Sequence, residues 1–120
     1  MVPRLKAGVW VDAQVRACNG AAIPLYVLHR GDPDAGMILI KLIRETGRAM
    51  VLSPMRQMDE SMAWFRATGP EPVDEAEADA YVARQHKVDP DIWVIEIEDR
   101  DNRNFLGDWL KSDADRTGSP

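Results

Sequence analysis

Two Asp-Pro-Asp tripeptides, Asp32-Pro33-Asp34 and Asp89-Pro90-Asp91, each stand just before an apolar run. Hard divalent cations need several oxygens converging on one point. Asp32, Asp34, Asp89 and Asp91, helped by Glu96 and Glu98, could supply them if the fold brought the two loops together. The tripeptide also has a purely structural reading. Asp bonds its own backbone at turns, and Pro cannot continue a hydrogen-bonded ladder. Pro also drives the preceding residue towards extended geometry. Asp-Pro-Asp is therefore a good strand-entry clip, and that reading is preferred to a metal site.

Other residues that could do chemistry fare less well. Cys18 could act as a nucleophile with His29 or His86 as base, but it needs that base in hydrogen-bond reach and an electropositive setting. It falls on an apolar helical stripe instead, where a free cysteine behaves as a small hydrophobe. Glu96, Glu98, Asp99 and Asp101 could pair as general acid and base. Arg100 and Arg103 are interleaved with them, which reads as a mutually neutralising solvated segment. Arg30-Gly31-Asp32 is a coincidence of common turn residues. Neither a Gly-x-Gly-x-x-Gly nor a Gly-Lys-Ser/Thr phosphate loop occurs. No catalytic residue and no cofactor is assigned.

A partner surface is the better-supported candidate. Met55, Met58, Met62, Trp64 and Trp109 include residue types favoured at adaptable interfaces. The competing reading is that they close the core of a small domain. A sheet of this size also has edges to cover, and a homodimer through one is a common solution.

The elements that must position these residues follow from periodicity. Val11, Val15 and Cys18 recur at helical spacing, flanked by Trp10, Ala13 and Ala17, and predict a helix over residues 5–18 stopped by Asn19-Gly20. Alternation of Leu5, Ala7, Val9 and Val11 is a competing strand signal. "PLYVLHR" (24–30) and "GMILIKLIR" (36–44) read as strands. Glu45 to Arg48 reads as a hairpin turn with Gly47 at positive φ, and "AMVLS" as the returning strand, ended by Pro54. "MRQMDES" (55–61) is a polar loop, and "MAWFRATG" (62–69) a further candidate strand. The second helix starts at Asp74, with Glu77 completing a capping-box-like pair and Val73 and Ala78 at staple positions. Its acidic first turn and basic last turns suit the helix dipole, and Ala78, Tyr81, Val82 and Gln85 share one face. "DIWVIEIED" is the last strand, with Trp93, Ile95 and Ile97 on one side and Ile92, Val94, Glu96 and Glu98 on the other. "NFLGDWLK" (104–111) reads as a short helix or turn, and residues 112–120 as a disordered tail. The layout is α+β: a mainly antiparallel sheet of four to five strands, two helices packed on it, and one domain over residues 1–111.

Composition narrows the function classes. The 120 residues carry a net charge of −5, with no strong cluster of basic groups, which argues against nucleic acid as a partner. One cysteine excludes an internal disulfide and a Cys-based zinc site. Apolar runs are too short for a membrane span, and the N-terminal stretch lacks the apolar core of a signal peptide, so the expected location is the cytoplasm.

Four segments, "LKAGVWVDAQVRAC", "HRGDPDAGMILIKL", "EAEADAYVARQHKVDPDIWVIEIEDR" and "NFL", together resemble a family of small bacterial proteins known as domain of unknown function 1491. The resemblance covers residues 5–106. It is most specific in the Gly-Asp-x-Asp-Ala-Gly loop (31–36) and the block from Ala78 to Val94. It implies a cytosolic bacterial domain and supplies no catalytic residues. The sequence therefore reads as a non-catalytic protein-interaction or self-associating domain. The alternative is a small metal-dependent enzyme or accessory factor that uses the Asp-rich loops.

Overall fold

The computed structural model describes residues 6–56 and 62–100. The elements run α1 (Ala7–Gly20), β1 (Leu25–His29), β2 (Ile38–Glu45), β3 (Arg48–Arg56), β4 (Met62–Arg66), β5 (Val73–Asp74), α2 (Glu75–Val88) and β6 (Trp93–Glu98). The fold is α+β, as expected. The sheet has the order β1-β6-β2-β3-β4, with the two-residue β5 paired to β3 as a sixth strand. Pairing is antiparallel except between β2 and β6, which run parallel from Ile38 beside Trp93 to Ile43 beside Glu98. These two strands are central and covered on both faces. That explains why "ILIKLI" and "WVI" are near-continuous apolar runs rather than alternating ones.

Alternation along the strands divides the core in two. On one face, Ile38, Ile40, Leu42, Met50, Leu52, Trp93, Ile95 and Ile97 pack with Ala7, Val11 and Cys18 of α1. On the other, Leu39, Ile43, Ala49, Val51, Ile92 and Val94 pack with Ala78 of α2, flanked by Tyr81 and Val82. The predicted faces of both helices and of β6 are the observed ones.

Several boundaries differ from the sequence reading, each for a visible reason. Helix α1 runs through Asn19-Gly20. The left-handed residue that stops it is Ala22 (φ 58°), and the Ile23 amide bonds back to the Cys18 carbonyl. Pro54 does not end β3 but lies within it, opposite Trp64 of β4. The Val51 carbonyl bonds the Ala67 amide on the β4 side, so even-numbered residues of β3 turn their backbone groups towards β2. Pairing with β2 stops at Leu52, so the missing N–H of Pro54 falls where no ladder bond is needed. Asp74 makes no side-chain cap on α2. The Gly47 carbonyl of the hairpin turn accepts the Glu75 amide instead, while the Asp74 carboxylate lies 3.5 Å from Arg48. Gly47 has the expected positive φ, 83°. The loop read over 55–61 loses its first two residues to β3, and its remainder lies outside the described residues. So do the short helix or turn at 104–111 and the tail at 112–120.

Candidate functional site

The two Asp-Pro-Asp loops do meet, but through their backbones. The Asp32 amide donates to the Asp91 carbonyl (3.0 Å), and the Asp32 carbonyl accepts the Trp93 indole N–H (2.7 Å) and the Gly36 amide (3.1 Å). Glycine is required for this approach. A Cβ on Gly31 would stand 2.7 Å from Ile92 C and from Trp93 Cδ1, and one on Gly36 would stand 2.6 Å from the Asp91 carbonyl oxygen. The Pro33 carbonyl accepts the Gly8 amide (2.9 Å), so the same loop caps the start of α1, which has no side-chain cap. The two motifs most specific to the family resemblance are thus halves of one structural junction.

The carboxylates are turned to local work. Asp32 Oδ1 accepts the amides of Asp34 (2.9 Å) and Ala35 (3.5 Å), and Asp89 Oδ1 accepts that of Asp91 (3.2 Å), which are Asx turns. Asp34 lies 3.6 Å from Lys6 in an exposed ion pair. Among the described residues no three His, Cys, Asp or Glu side chains converge as metal ligands would. Glu96 and Glu98 do not join the Asp loops: Glu96 bonds Lys41, and Glu98 lies 3.6 Å from Arg100. Asp99 is buried, and Asp101 and Arg103 lie outside the described residues.

Sequence reading missed two polar centres. Lys41 sits in the middle of β2, only 3% exposed. Its Nζ is 2.7 Å from Asp79, 2.8 Å from Glu75 and 3.1 Å from Glu96. Parallel register sets Lys41 beside Glu96, and α2 presents Glu75 and Asp79 one turn apart. Burial alone would lower the ammonium pKa, but the hydrogen bonds that Nζ donates to Asp79, Glu75 and Glu96 outweigh burial and hold the pKa above its ordinary value. Lys41 therefore stays charged and pins α2 to the sheet. A lone lysine in an apolar run gave no hint of this, because its three partners come from two other elements.

The second centre is a histidine pair. His29 Nε2 and His86 Nε2 are 2.7 Å apart, with ring centroids 3.9 Å apart in an edge-to-face arrangement. His29 Nδ1 bonds the Ile92 carbonyl at 2.8 Å. A bulge in β1 makes the pair. Val27 lies opposite Ile95, yet His29 lies opposite Val94, so two steps on β1 match one on β6. Strict alternation would send His29 to the α1 face with Leu25 and Val27; the extra residue re-aims it to the α2 face. Cys18 joins neither histidine, being buried with α1 on the opposite face of the sheet. Burial, and secondarily the negative charge of Asp99, push its thiol pKa up to about 11, which suppresses the reactive thiolate.

Of the residues read as a partner surface, Trp64 is 5% exposed and packs on Trp10, with ring centroids 5.6 Å apart. Met55 and Met62 lie on the paired strands β3 and β4. Met58 and Trp109 lie outside the described residues. Among the described residues, the exposed large apolar side chains are Val9, Tyr26, Leu28, Met37 and Val88. Tyr26 and Leu28 of β1 are 50% and 51% exposed. A cleft of about 390 Å³ at the β2–β3 turn is lined by Arg44, Arg48, Glu45 and Glu71 over Leu42 and Met50. Arg48 is already engaged with the Pro72 carbonyl and Asp74, and the buried Arg44 Nε has no hydrogen-bond partner among the described residues. No helix among the described residues is long and apolar enough to cross a membrane.

Residues 5–107 match the family model described as protein of unknown function (DUF1491). A crystal structure of a DUF1491 family protein from Caulobacter crescentus CB15 is similar at 36% identity and a TM-score of 0.76, over 87% of this chain and 96% of that one. An NMR structure of a DUF1491 family protein from the same organism gives 36% identity and a TM-score of 0.73, over 88% and 96%. The solution structure of protein Atu0922 from A. tumefaciens is similar at 27% identity and a TM-score of 0.66, over 80% and 86%. No curated protein matches the chain. Family model, sequence identity and shared fold agree: the chain belongs to the DUF1491 family of proteins of unknown function.

Proposed function

We propose that this protein is a non-catalytic binding module that associates with a second copy of itself through the outer edge of β1. The observation that carries this reading is the character of that edge. β1 pairs with β6 on one side, and no described strand pairs with the other. Its sequence, Leu-Tyr-Val-Leu-His, contains no lysine, arginine, carboxylate or proline to blunt pairing. Tyr26 and Leu28 stand open beside it. A strand pairing antiparallel with its own copy satisfies two-fold symmetry, so one surface serves both chains. The bulge after Val27 keeps the added ladder short, which makes the dimer a weak one.

Two further features support a non-catalytic role. Cys18 and Lys41 both have pKa values moved away from reactivity, one held as thiol and the other as ammonium. Sedimentation equilibrium over a wide concentration range tests the proposal. The expected result is a reversible dimer that Leu28→Lys converts to monomer, with the unfolding midpoint unchanged at dilutions where the natural chain is itself monomeric. A chain that stays monomeric to about 1 mM overturns self-association, since even weak specific pairs form by then.

A further inference from the structure

We infer that His29 and His86 form a capture site for one divalent transition-metal ion of the imidazole-preferring class, such as Zn²⁺ or Ni²⁺. The Ile92 carbonyl can only accept, so His29 Nδ1 carries the hydrogen and the Nε2 of the neutral ring presents a lone pair. This is the arrangement in which metal-binding histidines are held, with the far N–H on a carbonyl fixing tautomer and ring orientation. The partner nitrogen, His86 Nε2, is 2.7 Å away, so one hydrogen fills the gap between two potential donors. When a cation replaces it, the hydrogen on His86 moves to Nδ1 through solvent, and both Nε2 lone pairs face the ion.

The fold builds this meeting rather than leaving it to chance. His29 is aimed at α2 only by the bulge between Val27 and His29; bulges that re-aim a side chain are common both at sheet edges, such as β1, and beside active sites. The two histidines come from separate elements, a strand end and a helix, 57 residues apart in the chain. Both are half-buried, so water reaches the remaining coordination positions. At metal–nitrogen bonds of about 2.0–2.1 Å, two imidazoles on a tetrahedral ion stand about 3.3 Å apart. The rings must part by roughly 0.6 Å and turn out of their edge-to-face contact. Hard cations gain little from two neutral nitrogens, so Mg²⁺ is not a ligand of this site. Capture needs no second copy of the chain.

The chain has only two histidines, so their ring signals are unambiguous. Side-chain ¹H–¹⁵N correlation spectra of the full chain, titrated with Zn²⁺, are the test, with Mg²⁺ as control. Both Nε2 signals are expected to move together and saturate at one Zn²⁺ per chain, and Mg²⁺ to leave them in place. By calorimetry, His29→Gln and His86→Gln should each weaken Zn²⁺ binding at least about tenfold. If the variants fail to fold, the ring signals of the natural chain decide alone. Rings that stay put, or only one that moves, at excess Zn²⁺ overturn the site.

Discussion

The same tripeptide, Asp-Pro-Asp, does different work at its two positions. In the first loop the side chain of Asp32 closes a local turn, but the backbone reaches across the chain: the Asp32 amide to Asp91, the Asp32 carbonyl to the Trp93 indole, and the Pro33 carbonyl to Gly8 of α1. In the second, the bonds are largely local. The Asp89 amide closes α2 on the Gln85 carbonyl, the Asp89 side chain holds the Asp91 amide, and the Ile92 amide returns to the Asp89 carbonyl. One loop is a hub between elements and the other a bridge from α2 to β6. A motif with the look of paired ligands thus gains its context from glycines that let two backbones touch.

That asymmetry predicts a graded set of losses, measurable as shifts in urea midpoint at constant m. The largest belongs to Gly31→Ala, whose new Cβ meets backbone and a buried ring that cannot retreat; about 3 kcal/mol is expected. Trp93→Phe keeps most of the buried ring but loses the indole bond to Asp32, and should cost about 1–2 kcal/mol. Asp32→Ala removes two amide contacts from the hub and should cost about 1 kcal/mol, whereas Asp89→Ala removes one longer bond and should cost about half that. Asp34→Ala breaks only an exposed ion pair and should stay within about 0.5 kcal/mol. Losses at Gly31→Ala and Trp93→Phe no larger than that at Asp89→Ala would erase the distinction between hub and bridge.

Much of this architecture could be read from local pattern. The apolar stripe of α1, the hairpin with Gly47 at its turn, the apolar face of α2 and the two faces of β6 all follow from residue spacing. What escaped is non-local. The parallel pairing of β2 with β6 depends on α2 returning the chain to the sheet centre, and no local signal encodes it. Pro54 reads as a strand breaker until the neighbour on its nitrogen side is known to have stopped pairing. Asp74 looked like a cap because its spacing to Glu77 is right, but the Gly47 carbonyl reaches the helix start instead. Lys41 has its partners on α2 and β6, and His29 faces His86 only because of one extra residue in β1. The polar centres were thus the least legible part, since each is assembled from segments far apart in sequence.

The joining of the two loops through backbone is tested most directly by amide hydrogen exchange at Asp32. Its N–H belongs to a loop residue but is bonded to the Asp91 carbonyl at 3.0 Å, beside the Trp93 amide that bonds Met37 at 2.7 Å. If the junction is a fixed part of the fold, Asp32 exchanges as slowly as Trp93 and opens only with global unfolding. Rapid exchange at Asp32, at the rate of an open loop while Trp93 stays protected, would contradict it.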